Sequence, residues 1–113
     1  MIKASFEKDD GKFISLCVEG HAGQSEYGKD IVCSAASILM YTVAQTITQM
    51  HKQGWLKKKP HINLKDGNGI VTCVPKADYY DECLMAFFVA EMGYVLLNKN
   101  YPQYVDIKLF GEA

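Results

Sequence analysis

Apolar and polar residues alternate twice at the start of the chain before the pattern lengthens. Ile2, Ala4 and Phe6 share one face of residues 2–7, and Ile14, Leu16 and Val18 share one face of residues 12–19. A period of two predicts strands, and the Asp10-Gly11 turn between them predicts that they form a β-hairpin. Residues 20–29 follow neither a two-residue nor a helical period. Gly20, Gly23 and Gly28 punctuate small and polar residues there, which predicts a mobile loop. From Asp30 to about Lys52, Ile31, Ala35, Leu39, Val43, Ile47 and Met50 recur at three- and four-residue steps, as on one face of an amphipathic helix. Asp30 suits the N-cap, where its carboxylate can accept from first-turn N–H groups, and Gly54 ends the pattern.

A second hairpin is expected around Asp66-Gly67-Asn68-Gly69, with Ile62 and Leu64 on one side and Ile70, Thr72 and Val74 on the other. Pro75 stops its second strand. A helix follows from about Asp78 to Lys99, with Tyr80, Leu84, Phe87, Phe88, Glu91 and Val95 near one side and Asp78, Asp81 and Glu82 at its positive end. After Pro102, Val105, Ile107 and Leu109 alternate with Asp106 and Lys108 as a last strand. The order is ββαββαβ. It predicts an α+β fold in one domain over residues 1–113, with two amphipathic helices covering a mixed five-stranded sheet.

Composition narrows the possible functions. Apolar residues make up 49% and charged residues 22% of the 113, which is ordinary for a folded globular domain and excludes a disordered or fibrous chain. A formal net charge of −1 provides no global positive field, so nucleic acid is not expected as a main partner. The basic run Lys57-Lys58-Lys59 reads as a solvated loop. Neither a secretory leader nor an uninterrupted apolar run of about 18 residues is evident, so the expectation is a cytoplasmic protein with no membrane partner. There the four cysteines, Cys17, Cys33, Cys73 and Cys83, would be reduced thiols. No Cys pair has C-x-x-C spacing, and His51 and His61 lack partners at ligand spacing, so a zinc site is not expected, and no phosphate-binding glycine loop or dinucleotide fingerprint appears.

The chemistry concentrates in residues 20–37, which join a strand end, a loop and a helix start. A cysteine nucleophile acts as its thiolate, which an ordinary thiol barely populates at neutral pH. With Asp30 as N-cap, Cys33 falls in the first helical turn, where the dipole and unpaired N–H groups favour an anion. His21, before the loop, can accept the thiol proton, and the Cys33 or Ser34 amides can receive an oxyanion. Each residue also has a plainer role. A helix-start cysteine is often a small core residue, capping alone explains Asp30, and the glycines can simply make a turn. Cys17, Cys73 and Cys83 read as structural.

These residues resemble a known family, the bacterial ribosomal-processing cysteine proteases, Prp, also called YsxB-like. Its G-H-A, short loop, G-x-D-I-V-C motif stands here as Gly20-His21-Ala22 and Gly28-Lys29-Asp30-Ile31-Val32-Cys33, followed by Ser37. Length and element order agree over essentially the whole chain. The resemblance implies a cysteine endopeptidase that removes the short N-terminal extension of a large-subunit ribosomal protein, the twenty-seventh of its series. It implies His21 as base and Cys33 as nucleophile, with no cofactor. Asp30, Ser34 and Ser37 are possible supporting residues, and Gly20, Gly23 and Gly28 belong to a substrate-gating loop. It also implies a homodimer. Ser34 departs from the alanine common at that position.

Two other readings stay open on sequence. In one, a non-enzymatic ribosome-associated binding module uses the glycine loop and Lys57–Lys59. In the other, Cys33 is a redox site, a reading that needs a second thiol within disulfide reach.

Overall fold

Each opening alternation becomes a strand, and the two pair with one another. The computed structural model describes residues 1–21 and 30–112. Strands β1 (Ile2–Asp9) and β2 (Phe13–Glu19) form the first hairpin, followed by helix α1 (Ile31–Lys52), β3 (His61–Lys65), β4 (Asn68–Cys73), helix α2 (Tyr80–Asn100) and β5 (Val105–Lys108). The strands lie in the order β3-β4-β2-β1-β5. Only β5 is parallel to its neighbour, β1, so the five-stranded sheet is mixed and the fold is α+β in ββαββαβ order.

Ile2, Ala4, Phe6, Ile14, Leu16, Val71, Cys73 and Val105 are buried with residues of both helices in a single core. Phe6 lies edge-on to Tyr94 and Phe110, at ring-centroid distances of 5.8 and 5.4 Å. Such pairs contribute about 0.5–1.5 kcal/mol each beyond the area they bury. The helices are also tied together directly, because Tyr94 of α2 donates its hydroxyl to the Ala36 carbonyl of α1 at 2.7 Å.

Several expected faces are rotated. The residues α1 buries are Val32, Ala36, Met40, Val43, Ala44 and Ile47, whereas Ile31 is 68% exposed. Leu39 and Met40 lie four and three residues before Val43, so more than one stripe through Val43 and Ile47 fits the helical period, and docking on the sheet selects among them. In β4 the buried set is Gly69, Val71 and Cys73 instead of the alternate set expected from Ile70, Thr72 and Val74. The cause is the turn, which occupies only Asp66 and Gly67, with Lys65 opposite Asn68. On α2 the buried residues are Cys83, Phe87, Ala90, Glu91 and Tyr94, while Phe88 faces solvent. Glu91 is tolerated in that face because its Oε2 accepts from the Phe110 amide at 2.8 Å.

By length and composition α1 is apolar enough to cross a membrane, since no Asp, Glu, Lys or Arg precedes Lys52. Its inner stripe nevertheless packs in the core described above. Thr42, Thr46 and Thr48 return their hydroxyls to the carbonyls four residues back, at 2.7–2.8 Å, which lets polar residues sit in so apolar a helix.

Burial raises the Tyr94 phenol above its ordinary value of 10.0. The unfolded phenol therefore ionises first, and the contribution of Tyr94 is complete below about pH 10 and lost as pH rises beyond it. Tyr94→Phe should cost about 1 kcal/mol at neutral pH through the lost hydrogen bond. Urea unfolding at pH 7 and pH 10.5 should also show a smaller stability loss between those pH values for the variant than for the wild type.

Candidate active site

The site forms where the end of β2, the start of α1 and the β3–β4 turn converge. Gly20 closes β2 in the left-handed region, at φ +90°, and any Cβ there would meet the Met1 carbonyl oxygen at 2.2 Å. Its amide donates to the Gly67 carbonyl at 2.8 Å, which binds the end of β2 to the tip of the second hairpin. The Met1 amino group donates to the His21 carbonyl. The backbone at His21 is thereby tied both to the turn of the second hairpin and to the residue that precedes β1.

Across the site, Asp30 begins α1. It is buried, extended at φ −81° and ψ 105°, and its Oδ1 accepts from the Cys33 amide at 3.0 Å. Asp30 is therefore an N-cap in fact, and Cys33 lies in the first turn as a half-buried thiol. The Ser34 amide donates to the Asp30 carbonyl at 3.1 Å. Both amides expected to receive an oxyanion are thus already engaged. An anion reaching the Cys33 N–H would have to displace the Asp30 carboxylate, which already places negative charge at the positive end of the helix.

His21, Asp30, Cys33, Ser34 and Ser37 line one cavity of about 550 Å³, together with Gly20. Residues distant in sequence complete it: Ile2 and Val18 from the sheet, Met40 and Tyr41 from later turns of α1, and Leu64 to Gly69 from the second hairpin. The expected loop residues Gly23 and Gly28 lie outside the described residues, as does Tyr27. Tyr79, Tyr80, Phe87 and Phe88 do not line this cavity. Tyr79 stacks on Trp55 at 4.9 Å, Tyr80 donates to Asp10 and Phe87 is in the core. Met40 and Tyr41 were legible in principle, because they follow Cys33 and Ser37 on the same side of the helix. The wall contributed by the second hairpin had no local sequence signal.

The remaining thiols occupy different surroundings. Cys73 and Cys83 are buried, and the adjacent Cys83 thiol together with burial pushes the Cys73 thiol well above the ordinary thiol range. Burial and then the Glu19 charge raise Cys17. None of these three lines the cavity, and neither do Lys57, Lys58 and Lys59. Among the described residues no group of three or more His, Cys, Asp or Glu is arranged to hold a metal ion.

The family model described as cysteine protease Prp matches residues 1–106. The chain belongs to the cysteine protease Prp family. It is 36% identical over 61 residues to the ribosomal processing cysteine protease Prp of two Staphylococcus aureus strains. That match covers 54% of this chain and 53% of the relative, so the chain spans about half the length of the curated relatives it matches. In fold it is similar to a crystal structure of the S. aureus ribosomal processing protease Prp carrying a covalently linked product peptide. The TM-score is 0.71 and the identity 24%, over 97% of this chain and 99% of that one. SMU.848 from Streptococcus mutans is similar at TM-score 0.68 and 26% identity, over 97% and 94% of the two chains.

Loss of the cap should be measurable apart from chemistry. Asp30→Ala should lower stability by about 1 kcal/mol, and Asp30→Asn, which can still accept from the Cys33 amide, should recover most of it in thermal unfolding.

Proposed function

We propose that the protein is a cytoplasmic cysteine endopeptidase that trims the N-terminal extension of a large-subunit ribosomal protein, the twenty-seventh of its series. The observation that carries this reading is the shared cavity: Cys33 at a helix start and His21 at a strand end face the same space. Family membership supports the choice of peptide hydrolysis over other thiol chemistry, and a relative that holds a covalently linked product peptide supports a peptide substrate.

In the proposed reaction His21 takes the Cys33 proton and the thiolate attacks the scissile carbonyl. The tetrahedral intermediate collapses as the C–N bond breaks, and His21 returns the proton to the leaving amine. Water, deprotonated by His21, then hydrolyses the thioester and restores the thiol. No cofactor enters these steps. Ile2, Val18, Met40, Tyr41 and Leu64 give the cavity an apolar lining suited to bulky apolar side chains in an extended peptide.

The decisive assay presents a peptide spanning the extended terminus to the wild type and to folded Cys33→Ala, Cys33→Ser and His21→Ala, with products read by mass spectrometry. A single cut by the wild type, reduced at least about 10²-fold in each variant, is expected. An inert wild type, or a Cys33→Ala that cuts equally well, would replace this reading with that of a ribosome-associated binding module.

We further propose a homodimer, formed through the outer stripe of α2. Met85, Val89, Met92 and Leu96 recur there at three- and four-residue steps and are all exposed in the single chain, Val89 by 64%. A contiguous apolar stripe of this kind marks an association surface. Light scattering should give the mass of two chains for the wild type and of one for Val89→Asp; a monomeric wild type at tens of micromolar would exclude the dimer.

A further inference from the structure

A base can exchange a proton with a thiol only if its ring is held within reach of it. For His21 the contact is supplied by the tip of the second hairpin, far away in sequence. Gly67 sits in the two-residue turn between β3 and β4, and a Cβ built on it would lie 2.7 Å from His21 Nε2, 3.3 Å from Cε1 and 3.4 Å from Cδ2. The imidazole therefore rests directly against the turn backbone, in space that any side chain at this position would fill. The same turn residue accepts from the Gly20 amide at 2.8 Å, so backbone and ring are referenced to one point.

We infer that Gly67 is a positioning residue for the His21 imidazole, seating the ring against the β3–β4 turn on the side of the cavity that faces the start of α1. This inference rests on the proposed roles of His21 and Cys33. Its physical content is steric. A Cβ on Gly67 meets only the far end of a rotatable side chain, so the ring swings away at small cost to the fold. The consequence falls on the proton exchange between imidazole and thiol, which depends on sub-ångström placement.

Gly67 has a second reason to be glycine, because its φ of +74° lies in the left-handed region. Gly11, in the β1–β2 turn, separates the two effects. Its φ is +77°, yet a Cβ there meets nothing within 4 Å. Alanine at either position strains the turn alike, but only at 67 does it strike the imidazole. Gly67→Asn adds a further control, since asparagine tolerates the left-handed region better than alanine while carrying the same Cβ.

The test is the pH profile of Cys33 alkylation by iodoacetamide, read on the Cys33 peptide by mass spectrometry in wild type, Gly67→Ala, Gly67→Asn, Gly11→Ala and His21→Ala, with thermal unfolding run in parallel. A thiol of ordinary pKa is only about 1% ionised at pH 6.5, so loss of a seated imidazole should slow alkylation there by about tenfold or more. The expected result is that both Gly67 variants move toward the His21→Ala profile while Gly11→Ala keeps the wild-type one. If His21→Ala shifts the profile and the Gly67 variants do not, Gly67 is not a positioning residue and the dyad stands. If His21→Ala leaves the profile unchanged, the dyad itself fails, and this inference fails with it.

Discussion

The pairing of β2 with β4 is the constraint on which the site depends. The ladder running from Ile14–Cys73 to Glu19–Asn68 delivers the turn of the second hairpin to the end of β2. The Gly20–Gly67 hydrogen bond continues that ladder past the last strand pair. A slip of one residue would turn Leu16 and Val71, both fully buried, toward the other face of the sheet. Core burial therefore enforces the register, and the register places the Gly67 turn beside His21.

The opposite wall has a separate origin. Helix α1 begins after Asp30, which is itself extended and accepts from the Cys33 amide, so the nucleophile candidate is set by a local cap. Its direction across the sheet is set by tertiary contacts, among them Val32 and Ala36 in the core and the Tyr94 hydroxyl on the Ala36 carbonyl. The cap has an electrostatic consequence for the thiol above it. The positive end of the helix dipole favours a thiolate at Cys33, while a carboxylate bonded to the Cys33 amide places negative charge at the same helix end.

The other three cysteines show how little residue type says without environment. Cys73 of β4 and Cys83 of α2 are buried close enough to perturb one another, and Cys17 lies beside Glu19 on the other face of the sheet. Burial and a nearby negative charge both disfavour thiolates, so Cys73 and Cys17 are held as neutral thiols. Cys33 alone combines a helix start with a large cavity.

Much of this was legible in the residues themselves. Alternation in residues 2–7 and 12–19, the Asp-Gly turn, the Asp30 cap and the spacing of His21 and Cys33 are local features, governed by backbone sterics, side-chain period and short-range hydrogen bonding. They determined the element order and the two candidate residues. Tertiary structure decided which stripe of α1 faces inward, because several stripes satisfy the same 3.6-residue period and only docking on the sheet distinguishes them. It likewise decided that the turn is two residues long, that Asp30 occupies the amide expected for an oxyanion, and that Gly67 of one hairpin seats the imidazole at the end of the other. Those outcomes depend on close contacts between segments far apart in the chain, which no local pattern encodes.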